Sequence, residues 1–154
     1  MRRLARIFCA ALAPLCVAQT NEEKNVIATA QKLFDAMLAH DADAARAIIL
    51  PEGRLAGAND EGKVTSMTLE AFAARLPTIK GKMLERMWNP KVQISGRIAH
   101  LWADYDFHLD GKFNHCGIDS FSFVKAADGW KIVSVEDTRE TTGCQPSPLG
   151  PPNK

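Results

Sequence analysis

The longest hydrophobic and polar pattern in the chain runs from Arg97 to Thr142, and its period is two. Over Ile98–Leu109 two side-chain sets alternate, Ala99, Leu101, Ala103, Tyr105, Phe107 and Leu109 against Ile98, His100, Trp102, Asp104, Asp106 and His108. A pleated strand presents its residues in this way. Asp110-Gly111 supplies a two-residue turn whose central positions need positive φ. The return strand is Lys112–Lys125, and Asp128-Gly129 turns the chain into a third strand, Trp130–Thr141.

Upstream, the pattern shifts to helical spacing. Val26, Ile27, Ala30, Leu33, Phe34, Met37 and Leu38 make one apolar stripe, opened by the capping-box sequence Thr20-Asn-Glu-Glu23. Asp41 or Asp43 can cap a second, short helix over Ala44–Leu50 that Pro51 ends. Glu52–Met67 reads as a weak strand, a turn at Asn59–Gly62, and a strand Lys63–Met67. Thr68 caps a third helix carrying Leu69, Phe72, Ala73 and Leu76, which Pro77 stops. After a loop over Thr78–Lys82, Met83–Ser95 enters the main sheet. Pro90 cannot donate to a ladder and marks a bulge, an edge or a bend there. Helices first and long antiparallel strands afterwards make an α+β domain, with helices covering one face of a curved sheet.

Charge matters mainly through its distribution. The 154-residue chain carries +1, but residues 1–18 hold three arginines and no acid. The remaining 16 basic and 18 acidic side chains give −2, which lacks the basic footprint of a nucleic-acid binder. Arg2, Arg3 and Arg6 followed by the apolar run Ile7–Val17 have the make-up of a secretory signal peptide, with cleavage expected after Ala18. The alternative is an uncleaved anchor or a ragged start. The run is too short to span a bilayer as a helix. The expected division is thus a signal peptide over 1–18, one α+β domain over 19–142 and a proline-rich tail over 143–154, secreted or periplasmic and free of the membrane once cleaved.

Export changes the reading of the cysteines. Cys9 and Cys16 would leave with the leader, and Cys116 and Cys144 remain. An even pair in an oxidising compartment points to a disulfide, against the alternative of two free buried thiols. The bond would close 27 intervening residues, worth roughly 3 kcal/mol by chain entropy.

The order of elements resembles the nuclear transport factor 2-like superfamily, which includes ketosteroid isomerase-like and SnoaL-like proteins, over about residues 22–142. His115-Cys-Gly-Ile-Asp119, Gly129-Trp-Lys-Ile132, Asp137-Thr-Arg139 and the Gly143-Cys144 tail look like a group of exported bacterial members. The resemblance implies a cone, a strongly curved antiparallel sheet wrapped round the long N-terminal helix plus two short helices, with a pocket in its concave face. It also implies a homodimer through the outer sheet face. The fold alone does not fix a reaction. Ketosteroid isomerase-like catalysis wants a tyrosine in the first helix, but Phe34 occupies the middle of that helix and the chain's one tyrosine is Tyr105.

A strict two-residue turn at Asp110-Gly111 sets Asp106 opposite His115, Trp102 opposite Asp119 and His100 opposite Phe121. One face then gathers Trp102, Asp104, Asp106, His115 and Asp119, joined from the third strand by Lys131, Val133, Val135, Asp137 and Arg139. In the third-strand register assumed, Arg139 lies beside His115 and Asp119 beside Val135. This polar set is expected to line the pocket, with Phe121, Val133 and Val135 towards its inner end. Asp119 is the first candidate for proton transfer, since desolvation between aromatic neighbours raises a carboxylate's pKa. The Asp106–His115 pair is the second, and Arg139 could hold an anionic group. The competing reading makes this face solvated or dimer-facing, with cross-strand ion pairs, and puts the pocket on the apolar Leu101, Tyr105 and Phe107 face.

Other chemistry finds little support. His100 and His108 lie on one strand some 26 Å apart at about 3.3 Å per residue, too far to share an ion. Asp106, His108 and His115 are the remaining conceivable metal set, and no metal is expected. A Gly-x-Ser-x-Gly elbow, a phosphate loop and a dinucleotide fingerprint are all missing, so no cofactor is expected either. The leading expectation is an exported domain that binds a small apolar or amphipathic molecule. A cofactor-free lyase or isomerase using Asp119 or Asp106–His115 is the alternative, and a structural or interaction module the third.

Overall fold

The computed structural model describes residues 19–152, so the leader expected over residues 1–18 lies outside the described residues. Helix α1 spans Asn21–Ala39. Its capping box is formed, Glu23 N–H donating to Thr20 Oγ1 at 3.2 Å and Thr20 N–H to the Glu23 carboxylate. The stripe Val26, Ala30, Leu33, Phe34 and Met37 is buried.

Helix α2 is shorter than expected, Ala42–Arg46, with Asp41 as its cap. Ile49 and Leu50 belong instead to strand β1, Ile49–Asn59. Pro51 is the physical reason. Its ring drives Leu50 out of helical geometry, and β-branched Ile48 and Ile49 weaken the helix before it. Strand β2, Val64–Thr68, pairs antiparallel with β1, and Thr68 caps helix α3, Leu69–Arg75, followed by a 3₁₀ turn at Leu76–Thr78.

Strands β3 (Met83–Ser95), β4 (Ile98–Leu109), β5 (Lys112–Ala126) and β6 (Gly129–Arg139) complete a six-stranded sheet in the order β2-β1-β6-β5-β4-β3. The sheet is curved and unclosed, and α1 and α3 pack on it through one apolar core. It departs from the expected antiparallel sheet in one pairing, β1 running parallel to β6. Pro90 sits on edge strand β3 where the register to β4 shifts, beside Asn89 at φ 50°. The Asp110-Gly111 turn has both residues at positive φ, 52° and 73°. At the next hairpin Ala126 pairs with Gly129, so Ala127-Asp128 form the turn and Gly129 opens β6.

Cys116 and Cys144 form a disulfide that ties β5 to the proline-rich tail. Arg86 on β3 donates to the Gly150 carbonyl at 2.9 Å and holds the same tail further along. Cys144→Ser should therefore lower stability by about 2–4 kcal/mol, read as a lower denaturant midpoint. An unchanged midpoint would show that Arg86 and the tail's packing suffice without the bond.

Candidate functional site

Two bulges decide which side chains reach the concave face. His108 faces Phe113 as a tight hairpin requires, but Phe107 then faces His115, leaving Asn114 as an extra residue in β5. From there on β5 is shifted by one residue, and its alternation is inverted relative to β4. Tyr105 faces Gly117, Ala103 faces Asp119 and Leu101 faces Phe121. The second bulge, at Val133 in β6, moves Ile132 opposite Phe123, while Val135 faces Phe121 and Asp137 faces Asp119.

The expected grouping is thereby split. His115, Asp119, Phe121, Val135, Asp137 and Arg139 line a concave cavity of about 220 Å³ together with Tyr105 and Phe107. Trp102, Asp104 and Asp106 alternate with Ala103, Tyr105 and Phe107 along β4 and lie on the outer face. Trp102 is 47% exposed there, in a shallow groove shared with Val64 and Ile118. Asp104 accepts from Asn89 at 3.2 Å. Val133 is taken up in the bulge and is not part of the cavity wall. Asp106 faces Cys116 rather than His115 and is bound by the Arg86 guanidinium at 2.8 Å, with His108 Nε2 at 3.4 Å. The Asp106–His115 pair therefore does not exist, and a metal set of Asp106, His108 and His115 is divided by the sheet. Among the described residues no cluster suited to a metal ion is found.

Most of the wall is apolar. Leu33, Phe34 and Met37 come from α1, Phe72 from α3 and Leu55 from β1. Into this surface β3, β5 and β6 bring three carboxylates, Glu85, Asp119 and Asp137. Glu85 was not anticipated. Its signal is in the sequence, where it occupies the inward step between Met83 and Met87 on β3.

The polar groups differ sharply in how they are satisfied. Arg139 donates through Nε and Nη2 to both oxygens of Asp137, at 2.5 and 3.1 Å. Its guanidinium lies over Gly57, where a Cβ would come within 2.7 Å of it. Tyr105 donates to the Thr138 carbonyl at 2.8 Å. Gly117, in register with Tyr105, leaves that carbonyl room, since a Cβ there would fall 2.0 Å from it. The His115 ring stacks on Phe107 with centroids 5.0 Å apart, and its Nδ1 lies 2.7 Å from Asn114 Oδ1. Asp119 is 1% exposed, and its Oδ2 is buried with no hydrogen-bond partner.

These surroundings move the titrations apart. Burial, reinforced by the Asp137 carboxylate, pushes Glu85 up to about 8, with Arg139 opposing. Asp119 is held well above the ordinary carboxylate range by burial first, then by Glu85 and Asp137. Burial also raises the Tyr105 phenol. His115 is lowered by burial and by the nearby Arg139 cation. The result is a cavity in which Glu85 keeps its proton at pH 7.

Residues 21–135 match the model of the family described as "Putative lumazine-binding". The chain belongs to this family. The family shares the nuclear transport factor 2-like fold, and solved structures of that fold superimpose well. A protein from Salmonella enterica serovar Typhimurium described as a nuclear transport factor 2 (NTF2-like) superfamily protein gives a TM-score of 0.62 at 15% identity, covering 79% of this chain and 92% of its own. A "putative dehydratase from the NTF2-like family" of Streptomyces avermitilis gives 0.60 at 15% identity over 75% and 94%. A "putative aromatic ring hydroxylase" from Novosphingobium aromaticivorans gives 0.65 at 15% identity over 80% and 92%. No curated protein matches the chain.

The buried acids make stability depend on pH in a defined direction. An acid whose folded pKa lies above its unfolded one holds its proton more tightly when folded, so stability falls as pH rises between the two values. For Glu85 that window runs from 4.5 to about 8. His115 acts oppositely below its ordinary 6.5, because folding disfavours its charged form. Between 6.5 and about 8 the acids therefore act alone among these groups. The denaturant midpoint should fall across that interval, and Glu85→Gln and Asp119→Asn should each flatten the fall. An equally steep slope in both variants would remove these residues as its source.

Proposed function

We propose that this protein is an exported domain that binds a small, largely apolar molecule in the concave cavity. The observation that carries the reading is Asp119 Oδ2, a buried polar atom without a partner in a wall of aliphatic and aromatic side chains. A buried group left unpaired costs about 1–3 kcal/mol, and a ligand able to hydrogen-bond it would recover that cost. Small-molecule sites share this make-up, an apolar concavity with a few convergent polar groups. The family description, lumazine-binding, is in keeping with a ligand-binding role. Export is supported by the Cys116–Cys144 disulfide, a bond that persists in oxidising compartments.

One observation favours a second reading, a cofactor-free lyase or isomerase. Asp119 is a carboxylic acid held well above the ordinary carboxylate range inside a cavity, which suits a group that gives and takes a proton. A dehydratase description among the similar structures is in keeping with it. In that case Asp119→Asn would abolish turnover while leaving binding in place, whereas in a pure binding domain it would alter affinity alone.

The binding reading is tested with ligand-observed NMR on residues 19–154 against small aromatic and alicyclic fragments. Wild type should bind members of the set. Leu55→Trp, which fills the cavity from its partly buried rim, should lose them at least about tenfold while keeping its circular dichroism. Equal binding by both proteins would place any site elsewhere and overturn the reading.

A further inference from the structure

The cavity's hydrogen-bonding groups are unbalanced, and the imbalance points to a ligand class. Its donors are largely engaged within the protein. Tyr105 donates to Thr138, and Arg139 is spent on Asp137 through a two-pronged contact. The acceptors are not engaged to the same degree. Among the described residues no cation lies within ion-pair distance of Glu85 or Asp119. Asp119 Oδ2 has no partner of any kind.

Charge tells the same story. Six titratable or charged side chains face the cavity, Glu85 from β3, Tyr105 from β4, His115 and Asp119 from β5, and Asp137 and Arg139 from β6. The contributions of α1, α3 and β1 are all apolar. Asp137 and Arg139 neutralise each other, which leaves two carboxyl groups and no counter-charge. Behind the sheet Asp106 is paired with the Arg86 guanidinium and adds no net charge. An anionic ligand would meet the two carboxyl groups with the single cation already occupied, so the earlier expectation that Arg139 holds an anionic group loses its basis.

We propose that the cavity receives a small organic ammonium ion, its apolar body against Phe34 and Phe121 and its N–H donors turned to the carboxylates of Asp119 and Glu85. The proposal rests on reading the cavity as a ligand site. An ammonium group supplies the positive charge that the cavity lacks, and N–H donors for the carboxylates once their protons have left. Aromatic Tyr105 and Phe107 also line the cavity, and aromatic faces attract cations. Size is compatible. A cavity of roughly 150 Å³ holds benzene, so about 220 Å³ accommodates a six-membered ring with a short head group.

Binding of the cation must be linked to protons. Glu85, pushed up to about 8, holds its proton in the empty cavity near pH 7, so seating an ammonium ion beside it expels that proton. Affinity should then rise with pH while the amine itself stays charged. A neutral carbonyl or hydroxyl ligand that needs the protonated acid as donor shows the opposite slope.

Benzylamine, benzyl alcohol and benzoate share one ring and differ in head group, and calorimetric titration of residues 19–154 with each provides the test. Benzylamine should bind at least about tenfold more tightly than the other two near pH 7. Its affinity should rise from about pH 6 to about pH 8, and its heat should vary with the buffer's ionisation enthalpy as a proton is released. Glu85→Gln and Asp119→Asn should each weaken benzylamine about tenfold or more, a larger loss than either causes for benzyl alcohol. Both replacements are isosteric and remove an acid whose pKa the fold raises, so their melting curves at the higher pH should match or exceed wild type. Benzyl alcohol binding as tightly as benzylamine, with affinity falling as pH rises, overturns the ammonium proposal and leaves the cavity a ligand site for neutral acceptors. Tightest binding by benzoate overturns it in favour of Arg139. If none of the three binds, and the wider fragment set does not either, the underlying reading of the cavity fails as well.

Discussion

A single extra residue in β5 controls the chemistry of this domain. Without Asn114 as a bulge, the hairpin register set by Asp110-Gly111 would carry on unchanged, and Asp119 would emerge on the outer face beside Trp102. With it, Asp119 enters the concave side between Ala103 and Asp137, among the residues that α1 covers. His115 is brought round in the same movement and stacks on Phe107. Since a strand's side chains alternate strictly, one inserted residue transfers the whole remaining strand from one solvent regime to the other. The burial and raised pKa of Asp119 follow from that transfer.

The transfer also brings apolar residues together. In the inverted register Leu101 faces Phe121 and Ala99 faces Phe123, and all four are buried. The two phenylalanines stack on each other, and Phe121 meets Phe34 of α1 edge-on. Each buried phenylalanine contributes about 1.5–3 kcal/mol. Desolvation of two acids can be carried against such a core, particularly when the acids stay protonated and avoid the far larger cost of a buried charge. Asp137 enters the same cavity by another route, as the partner of a guanidinium.

The layout of elements could be read from the chain because each signal was local. The Thr20–Glu23 capping box, the α1 stripe, the Thr68 cap and the Asp110-Gly111 turn are all features of a few neighbouring residues, and each appears where its spacing places it. The parallel pairing of β1 with β6 and the two bulges depend on contacts between distant segments, which no local signal reports. The bulge at Asn114 did leave a trace. Continuing the tight hairpin sets His100 against Phe121, and matching apolar with apolar residues instead sets Leu101 against Phe121. Weighing that match above the turn's arithmetic would have predicted the inversion, and with it the side on which Asp119 lies. Pro51 likewise carried two meanings, a helix stop and an extended preceding residue, and the second won at Leu50.

The two faces of the sheet handle the same residue types in opposite ways, and this sets apart Asp119 from Asp106. Both aspartates are almost fully buried. Asp106 lies beneath the proline-rich tail with the Arg86 guanidinium on both its oxygens, and Arg86 reaches on to the Gly150 carbonyl, so its charge is spent in fastening the tail. The disulfide at Cys116–Cys144 fastens the other end of that tail to the same outer face. Asp119 has no such task and no such partner. A fold that supplies a cation for one buried aspartate and withholds it from another, a few residues away across the sheet, leaves the second with only a proton or a ligand to satisfy it. The cavity around it, of about 220 Å³, has room for a six-membered ring.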